Sequence, residues 1–186
     1  MSSDEQNMAD DVMNSFGNVA KIYEETSFLL KDFSDEMIRL GFVRMNSGSG
    51  VGTDTSKSID NPRLWHVRYA SLDFKPKGQD GHDPYTSITA IFCDYHSEPI
   101  VPYLIAGFVK MAGSDMQWQY YNFYNAYLDA KETFEGKDGK LIRLDRGDGY
   151  AIAQPLLQVG NTECVKNLAN NIVKYWEEKI GKLEQR

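Results

Sequence analysis

One apolar pattern near the N-terminus constrains the fold more than any other feature of this sequence. Apolar side chains recur at alternating intervals of four and three residues, with Thr26 filling the one gap. The positions are Val12, Phe16, Val19, Tyr23, Leu30, Phe33, Met37 and Leu40. Such spacing lines up one face of an α-helix over about four heptads. Because Gly17 and Asn18 weaken the first turns and Gly41 is a natural C-terminal stop, we expect a firm helix over residues 19–40.

This apolar seam, which consists of the positions above, has two interpretations. It can pack against the protein's own sheet and C-terminal helix. It can instead be presented to a second copy or to another protein, because a heptad-like seam can build a dimer. Both can hold over different lengths of the helix. Leu30, Phe33 and Met37 are the seam residues that we predict to contact a partner.

Three strand-like runs follow the helix. Residues 64–74, 85–95 and 100–111 are rich in β-branched and aromatic side chains, and turn-forming segments separate them. Short connections between strands favour an antiparallel meander. A middle helix is then predicted from Ser114, because Gln117 three positions later completes a capping box.

The C-terminal part contains two more strand runs and a last helix. The strand runs are residues 140–145 and 150–157, and a turn rich in glycine and aspartate lies between them. Asn161 or Thr162 can cap a helix whose apolar positions share one face. The last helix is expected to carry Val165, Ala169, Ile172, Trp176, Ile180 and Leu183 on that face.

The elements therefore follow the order α-βββ-α-ββ-α. Such segregated elements predict an α+β fold with an antiparallel sheet of about five strands and with N-terminal, middle and C-terminal helices. Residues 1–18 are expected to form a flexible or helical lead-in. Residues 19–186 are expected to form a single domain with a mobile Gly/Ser loop at 46–62.

Charge and cysteine content narrow the range of partners. The 27 acidic and 20 basic side chains give a net charge of -7, which repels a phosphate backbone, so we expect no nucleic-acid partner. Two cysteines are too few for a disulfide scaffold, and the N-terminus lacks the basic start and apolar run of a signal peptide. No run is long and apolar enough to cross a membrane. These features predict a cytoplasmic protein without a membrane partner.

Two motifs that suggest chemistry have the wrong spacing for it. In the glycine-rich loop, Ser56 precedes Lys57 where a phosphate-binding Walker loop needs glycine, and Val51 occupies the position of its first glycine. Cys93 and His96 supply at most half of a zinc site, and on a strand they would face opposite ways. We therefore expect no metal, no cofactor and no catalytic residue.

The segment WQYYNFYNAYL, residues 118–128, contains six aromatic residues and no charge. On a helix its aromatic side chains cover more than one side, and a helix that lies only on its own sheet needs one apolar stripe. The excess is what an interface requires, and Trp118, Tyr121 and Tyr124 are predicted partner contacts. A platform for stacking bases would also need basic neighbours, which are absent between Lys110 and Lys131.

The order of elements resembles the fold of type III secretion chaperones and of the YbjN-type family that shares it. The passage RLGFVRM over residues 39–45 and the segment AKETFEGKDGKLIRLDRGDGYAIAQPL over residues 130–156 carry the resemblance, with Asn122 and Asn125 before that segment and VKYWEEK after it. It spans residues 24–182. The resemblance implies a small, acidic and often dimeric protein with no catalytic residues. The loop at 46–62 and the lead-in depart from the pattern.

These observations predict a non-enzymatic protein-interaction module, chaperone-like or regulator-like. Such a module would bind a protein segment through apolar grooves as a homodimer. One alternative is a small-molecule-sensing domain with an aromatic-lined pocket. A less favoured alternative is a small hydrolase built around Cys93 and a histidine.

Overall fold

A computed structural model of the protein describes residues 3–45, 52–53, 67–81, 84–92, 102–110, 123, 138–144 and 148–181. Helix α1 (Ser3–Arg39) precedes strands β1 (Phe42–Arg44), β2 (Gly52–Thr53), β3 (Tyr69–Pro76), β4 (Tyr85–Ile91) and β5 (Tyr103–Lys110). Strands β6 (Leu141–Arg143) and β7 (Asp148–Pro155), a 3-10 turn (Leu156–Gln158) and helix α2 (Thr162–Lys179) follow. All the strands described form one antiparallel sheet in the order β1-β3-β4-β5-β7-β6, with β2 also paired to β3. The α+β class and the antiparallel sheet are confirmed.

The described part of the sheet has more strands than the five predicted. The additional strands β1 and β2 are three and two residues long, which is too short for an alternating pattern to appear in the sequence. Strand β2 lies within the predicted loop at 46–62, most of which falls outside the described residues. The predicted middle helix also falls outside them except for Phe123, which is helical and buried.

Helix α1 is one continuous helix of 37 residues and is therefore about 55 Å long. The lead-in predicted at residues 1–18 is helical from Ser3 onward. Gly41 ends the helix as expected: it adopts a φ of 94°, which favours glycine, and its N–H donates to the carbonyl of Ile38. The chain then turns directly into β1.

The C-terminal part of the seam forms the centre of the core. Leu30, Phe33 and Met37 are 3%, 0% and 0% exposed, and the Phe33 ring lies 5.9 Å from the ring of Phe74 on β3. This part of the seam packs inside the protein against its own sheet, which was one of the two interpretations of the seam. Phe33 and Met37, which we predicted as partner contacts, are closed to a partner because the protein's own sheet covers them.

Helix α2 packs beside α1 on the same face of the sheet. Asn161 caps it as predicted, because its Oδ1 accepts a hydrogen bond from the N–H of Cys164 at 2.9 Å. The side chain of Trp176 lies against two core rings, 5.5 Å from Phe42 and 5.8 Å from Phe108. Thr162 donates a hydrogen bond to Asp32 at 2.7 Å, which ties the start of α2 to α1.

The other face of the sheet is also buried. A second apolar cluster there includes Phe123 and side chains from β4, β5, β6 and β7. Its strand members are Tyr85, Ile91, Ile105, Val109, Ile142, Ala151 and Ala153, and Leu144 directly follows β6. The aromatic segment at 118–128 therefore contributes at least Phe123 to the core.

Glu36 is a buried charge at the contact between the two helices. It is 6% exposed and accepts hydrogen bonds from Arg39 Nε at 2.9 Å and Nη2 at 2.5 Å, and from Asn170 Nδ2 at 3.0 Å. The hydrogen bonds from Arg39 lower the pKa of Glu36, burial opposes them, and Asn170 adds to the lowering. The ionised form is therefore the one that stabilises the fold.

We expect Glu36→Gln to destabilise the protein by about 1–2 kcal/mol at pH 7, because a charge-assisted hydrogen-bond acceptor is lost. Since the folded-state pKa lies below the ordinary value of 4.5, the stabilisation is complete above that pH and is lost as the pH falls through the folded-state pKa. Urea unfolding at several pH values measures the effect. A pH dependence between pH 3 and 5 that is as steep in Glu36→Gln as in the wild type would contradict this assignment.

Candidate functional site

An open apolar groove of about 620 Å³ lies between α1 and the β3 side of the sheet. Its apolar lining comes from α1, from β3 and from the residues that flank β3 and β4. These residues are Tyr23, Leu30, Val67, Ala70, Leu72 and Phe92. The groove is therefore built by the contact of two elements that are distant in sequence.

Small side chains on the sheet give the groove its depth. Ala70 and Leu72 are two residues apart on β3, so they project from the same face toward α1. The cross-strand neighbour of Ala70 is Ala90 on β4. Because two adjacent alanines have small side chains, they leave space between the sheet and α1 at this point.

An aromatic contact marks one end of the groove. The rings of Tyr23 and Phe92 meet edge to face, with centroids 5.0 Å apart and an interplanar angle of 75°. Phe92 directly follows β4, so this contact joins α1 to the end of that strand. Both rings also line the groove, and an apolar segment that entered there would therefore meet aromatic surface.

Polar side chains surround the groove on the α1 side. Lys31 Nζ donates a hydrogen bond to Asp35 Oδ2 at 2.9 Å, and this bond raises the pKa of Lys31. Both side chains are mostly exposed, so the pair adds little to stability. The exposed Ser27, one turn before Lys31, also lines the groove. Arg44 on β1 also lines the groove, and so do the buried hydroxyls of Thr26 and Ser34. The polar lining therefore includes two cations, one anion and three hydroxyls.

A second apolar surface extends from the N-terminal side of the groove. We define the arm as residues 5–22 of α1, in which every residue from 5 to 18 is exposed. Met8, Met13 and Phe16 are 69%, 70% and 66% exposed, and Val12 and Ile22 are exposed as well. The seam that is buried from Thr26 onward therefore continues along the arm without being covered by the described part of the chain.

The predicted site residues are distributed between different places. Leu30 lines the groove with its small exposed surface, whereas Phe33 and Met37 belong to the core. The three aromatic residues of the predicted interface at 118–124 fall outside the described residues. The groove-lining side chains of the sheet were not predicted, because only strand pairing shows which of them face α1.

Two buried hydroxyls on β4 form a third feature. Ser87 and Thr89 are 0% exposed, and their side-chain oxygens have no hydrogen-bond partner within the described part of the chain. Both project from the same face as Tyr85 and Ile91, toward the second apolar cluster. An unpartnered buried hydroxyl costs about 1–3 kcal/mol, so such a pair calls for an explanation.

Thiol and metal-ligating side chains are not grouped in the part of the chain that the structure describes. Cys93 and His96 of the hydrolase alternative lie outside those ranges, and Cys164 is a half-buried free thiol near the start of α2. Among the residues described, no three histidine, cysteine, aspartate or glutamate side chains are grouped as a metal site would need. Neither described helix combines the length and apolarity needed to span a membrane.

Comparison with known proteins identifies no relative of this chain. No protein-family model, no curated protein and no solved structure matches the chain significantly.

Proposed function

We propose that the protein is a non-enzymatic protein-interaction module, chaperone-like or regulator-like, that acts as a homodimer and binds an apolar protein segment in the groove between α1 and β3. The observation that carries this proposal is the composition of the groove. Its exposed lining is mostly apolar, and its polar lining includes Ser27, Lys31 and Asp35 on α1 and Arg44 on β1. An apolar centre with a polar rim is the usual anatomy of a protein-binding surface.

The short edge strands of the sheet favour binding in the groove over addition of a strand to the sheet. An added strand needs a long exposed edge with free backbone groups. The edge strands β6 and β1 are only three residues long, and both end on an arginine. The groove instead offers one helical wall and one strand wall, which suits the apolar face of a short helix. The resemblance to secretion chaperones is consistent with this mode.

Blocking the groove tests the proposal. Ser27→Trp places a large side chain at an exposed rim position, so the fold remains intact while the groove is filled. The probe is a set of peptides selected from a random 12-residue display library on the wild-type protein. We expect the selected peptides to carry apolar residues three or four positions apart. We also expect Ser27→Trp to weaken their binding at least tenfold, as measured by fluorescence polarisation.

Asn171→Trp is the matched control, because it adds the same side chain at an exposed position of α2 that does not line the groove. It is expected to bind the selected peptides with wild-type affinity. The groove is not the binding site if both variants bind equally well. The proposal also fails if repeated selection yields no peptide that binds the wild-type protein.

A small-molecule-sensing domain is the second candidate, and the hydroxyls of Ser87 and Thr89 favour it. In the β3–β4 register Thr89 faces Ser71 and Ser87 faces Asp73, so four polar side chains meet on one face. A small polar ligand between this face and Phe123 would supply the hydrogen bonds that the two hydroxyls lack. This candidate places its ligand on the opposite face of the sheet from the groove.

For this candidate we expect Thr89→Val to lower the melting temperature of the purified protein, because the isosteric change removes a hydroxyl that binds the ligand. Thr86→Val is the control: Thr86 is also buried without a partner in the described chain, but it projects toward α1. There, loss of the hydroxyl should raise stability by about 1 kcal/mol. Differential scanning calorimetry compares the two variants, and a similar rise for Thr89→Val would rule out a bound ligand at that hydroxyl.

A further inference from the structure

The arm has an uncharged face that continues the seam. In heptad notation Ala9 and Phe16 occupy a positions, and Val12 and Val19 occupy d positions. The flanking e and g positions hold Met8, Met13, Ser15, Ala20 and Ile22. All three charged residues between positions 8 and 22 lie at b, c or f positions on the outer side, and they are Asp10, Asp11 and Lys21.

The arm is a poor helix when it stands alone. Residues 10–18 contain two aspartates, two asparagines, a serine and a glycine, all of which have low helix propensity. Nothing in the described part of the chain covers their apolar neighbours. In proteins most of the stability of a helix comes from packing of its apolar face. A continuous helix over these residues therefore indicates a surface that packs against this face.

We propose that the covering surface is the arm of a second copy of this chain, paired antiparallel so that Val12 faces the partner's Phe16 and Ala9 faces the partner's Val19. This inference deepens the homodimer in the proposed function by assigning its surface and its orientation. The two-fold axis lies at the level of Asn14. Met13 then lies opposite the partner's Met13, and Met8 lies opposite the partner's Ile22.

The position of the sheet decides the orientation. From Thr26 onward, the a and d positions of α1 face the protein's own sheet. In a parallel pair each helix would continue past residue 23 into the space that the other copy's sheet occupies. In the antiparallel pair, Ser3, the first residue of α1, lies opposite the partner's Glu25. The partner helix therefore ends where the sheet begins.

Burial also selects the register among antiparallel pairings. A shift of one heptad toward the domain would place Ala9 opposite the partner's Thr26, which is only 2% exposed. A shift of one heptad the other way would place the carboxylate of Glu5 against the partner's Phe16. Neither arrangement is favourable, because the first requires a position that the protein's own core already covers and the second moves a carboxylate out of water into an apolar interface.

The apolar area on the arm supplies part of what a dimer needs. An aromatic side chain can bury about 150–250 Å² and an aliphatic one less, so the five large apolar side chains, which are 37–70% exposed, together expose on the order of 400 Å² per chain. A standard interface buries about 800 Å² per partner, so the smaller side chains at the a, d, e and g positions and the stems of the flanking polar residues supply the remainder. Because single apolar patches on monomers reach about 600 Å², the uncharged heptad face, and not the area alone, indicates a partner.

Light scattering after gel filtration tests the surface. At tens of micromolar, the wild-type chain is expected to have the mass of two chains, and Phe16→Asp is expected to have the mass of one. Asn14→Asp is the matched control, since it adds the same charge at an f position on the outer side, and it should remain a dimer. A monomeric wild-type chain would overturn the proposal, and so would a Phe16→Asp variant that stays dimeric. Circular dichroism confirms that the sheet of each variant is folded.

Disulfide cross-linking tests the orientation in a chain whose two natural cysteines are replaced by serine. Met13→Cys should cross-link efficiently under mild oxidation, because Met13 meets its own copy across the two-fold axis. Val12→Cys should cross-link at least tenfold more slowly. The reverse result, fast for Val12→Cys and slow for Met13→Cys, would indicate a parallel pair and overturn the orientation.

Failure of the dimer and failure of groove binding give different results. Phe16 does not line the groove, so Phe16→Asp leaves the site of peptide binding in place. Ser27→Trp blocks the groove and should remain dimeric. A dimer that binds no selected peptide contradicts segment binding alone, and a monomer that binds peptides contradicts the arm pairing alone.

Discussion

The length of α1 relative to the sheet determines most of what is distinctive in this protein. The helix is about 55 Å long, whereas an eight-residue strand spans about 26 Å and six strands side by side span less than about 30 Å. The sheet can therefore cover only part of the helix. Burial of Leu30, Phe33 and Met37 fixes which part it covers, and the remaining apolar face extends beyond the domain as the arm.

The sheet is an interior layer on which two different surfaces are built. On one face α1 and α2 pack over the strands, with Trp176 between Phe42 and Phe108. On the other face Phe123 belongs to a second apolar cluster. Because both faces are buried, the residues that give the sheet its stability differ from those open to a partner. Apolar surface remains open to a partner where α1 separates from the sheet, and the groove lies at that place.

Local pattern predicted the elements better than their arrangement. The four-and-three spacing of the seam, Gly41 and Asn161 were sufficient for both described helices, because caps and periodicity are local properties. The same spacing could not show where the seam leaves the core, since Phe16 outside the sheet and Phe33 beneath it are the same residue type. The sequence also did not predict that β7 lies between β5 and β6, because pairing between distant strands produces no pattern in neighbouring residues. The groove could not be predicted for the same reason. Ala70 lines it only because strand pairing places β3 beneath α1.

The continuity of α1 has a consequence for regulation. The helix contains no proline, and no residue before Gly41 has a positive φ among those described, so the arm and the wall of the groove belong to one continuous helix. A partner that shifted α1 would displace Tyr23 and Leu30 relative to β3, because both line the groove on the same helix. Affinity in the groove and pairing of the arm would then be linked, and such linkage is reciprocal by thermodynamic necessity.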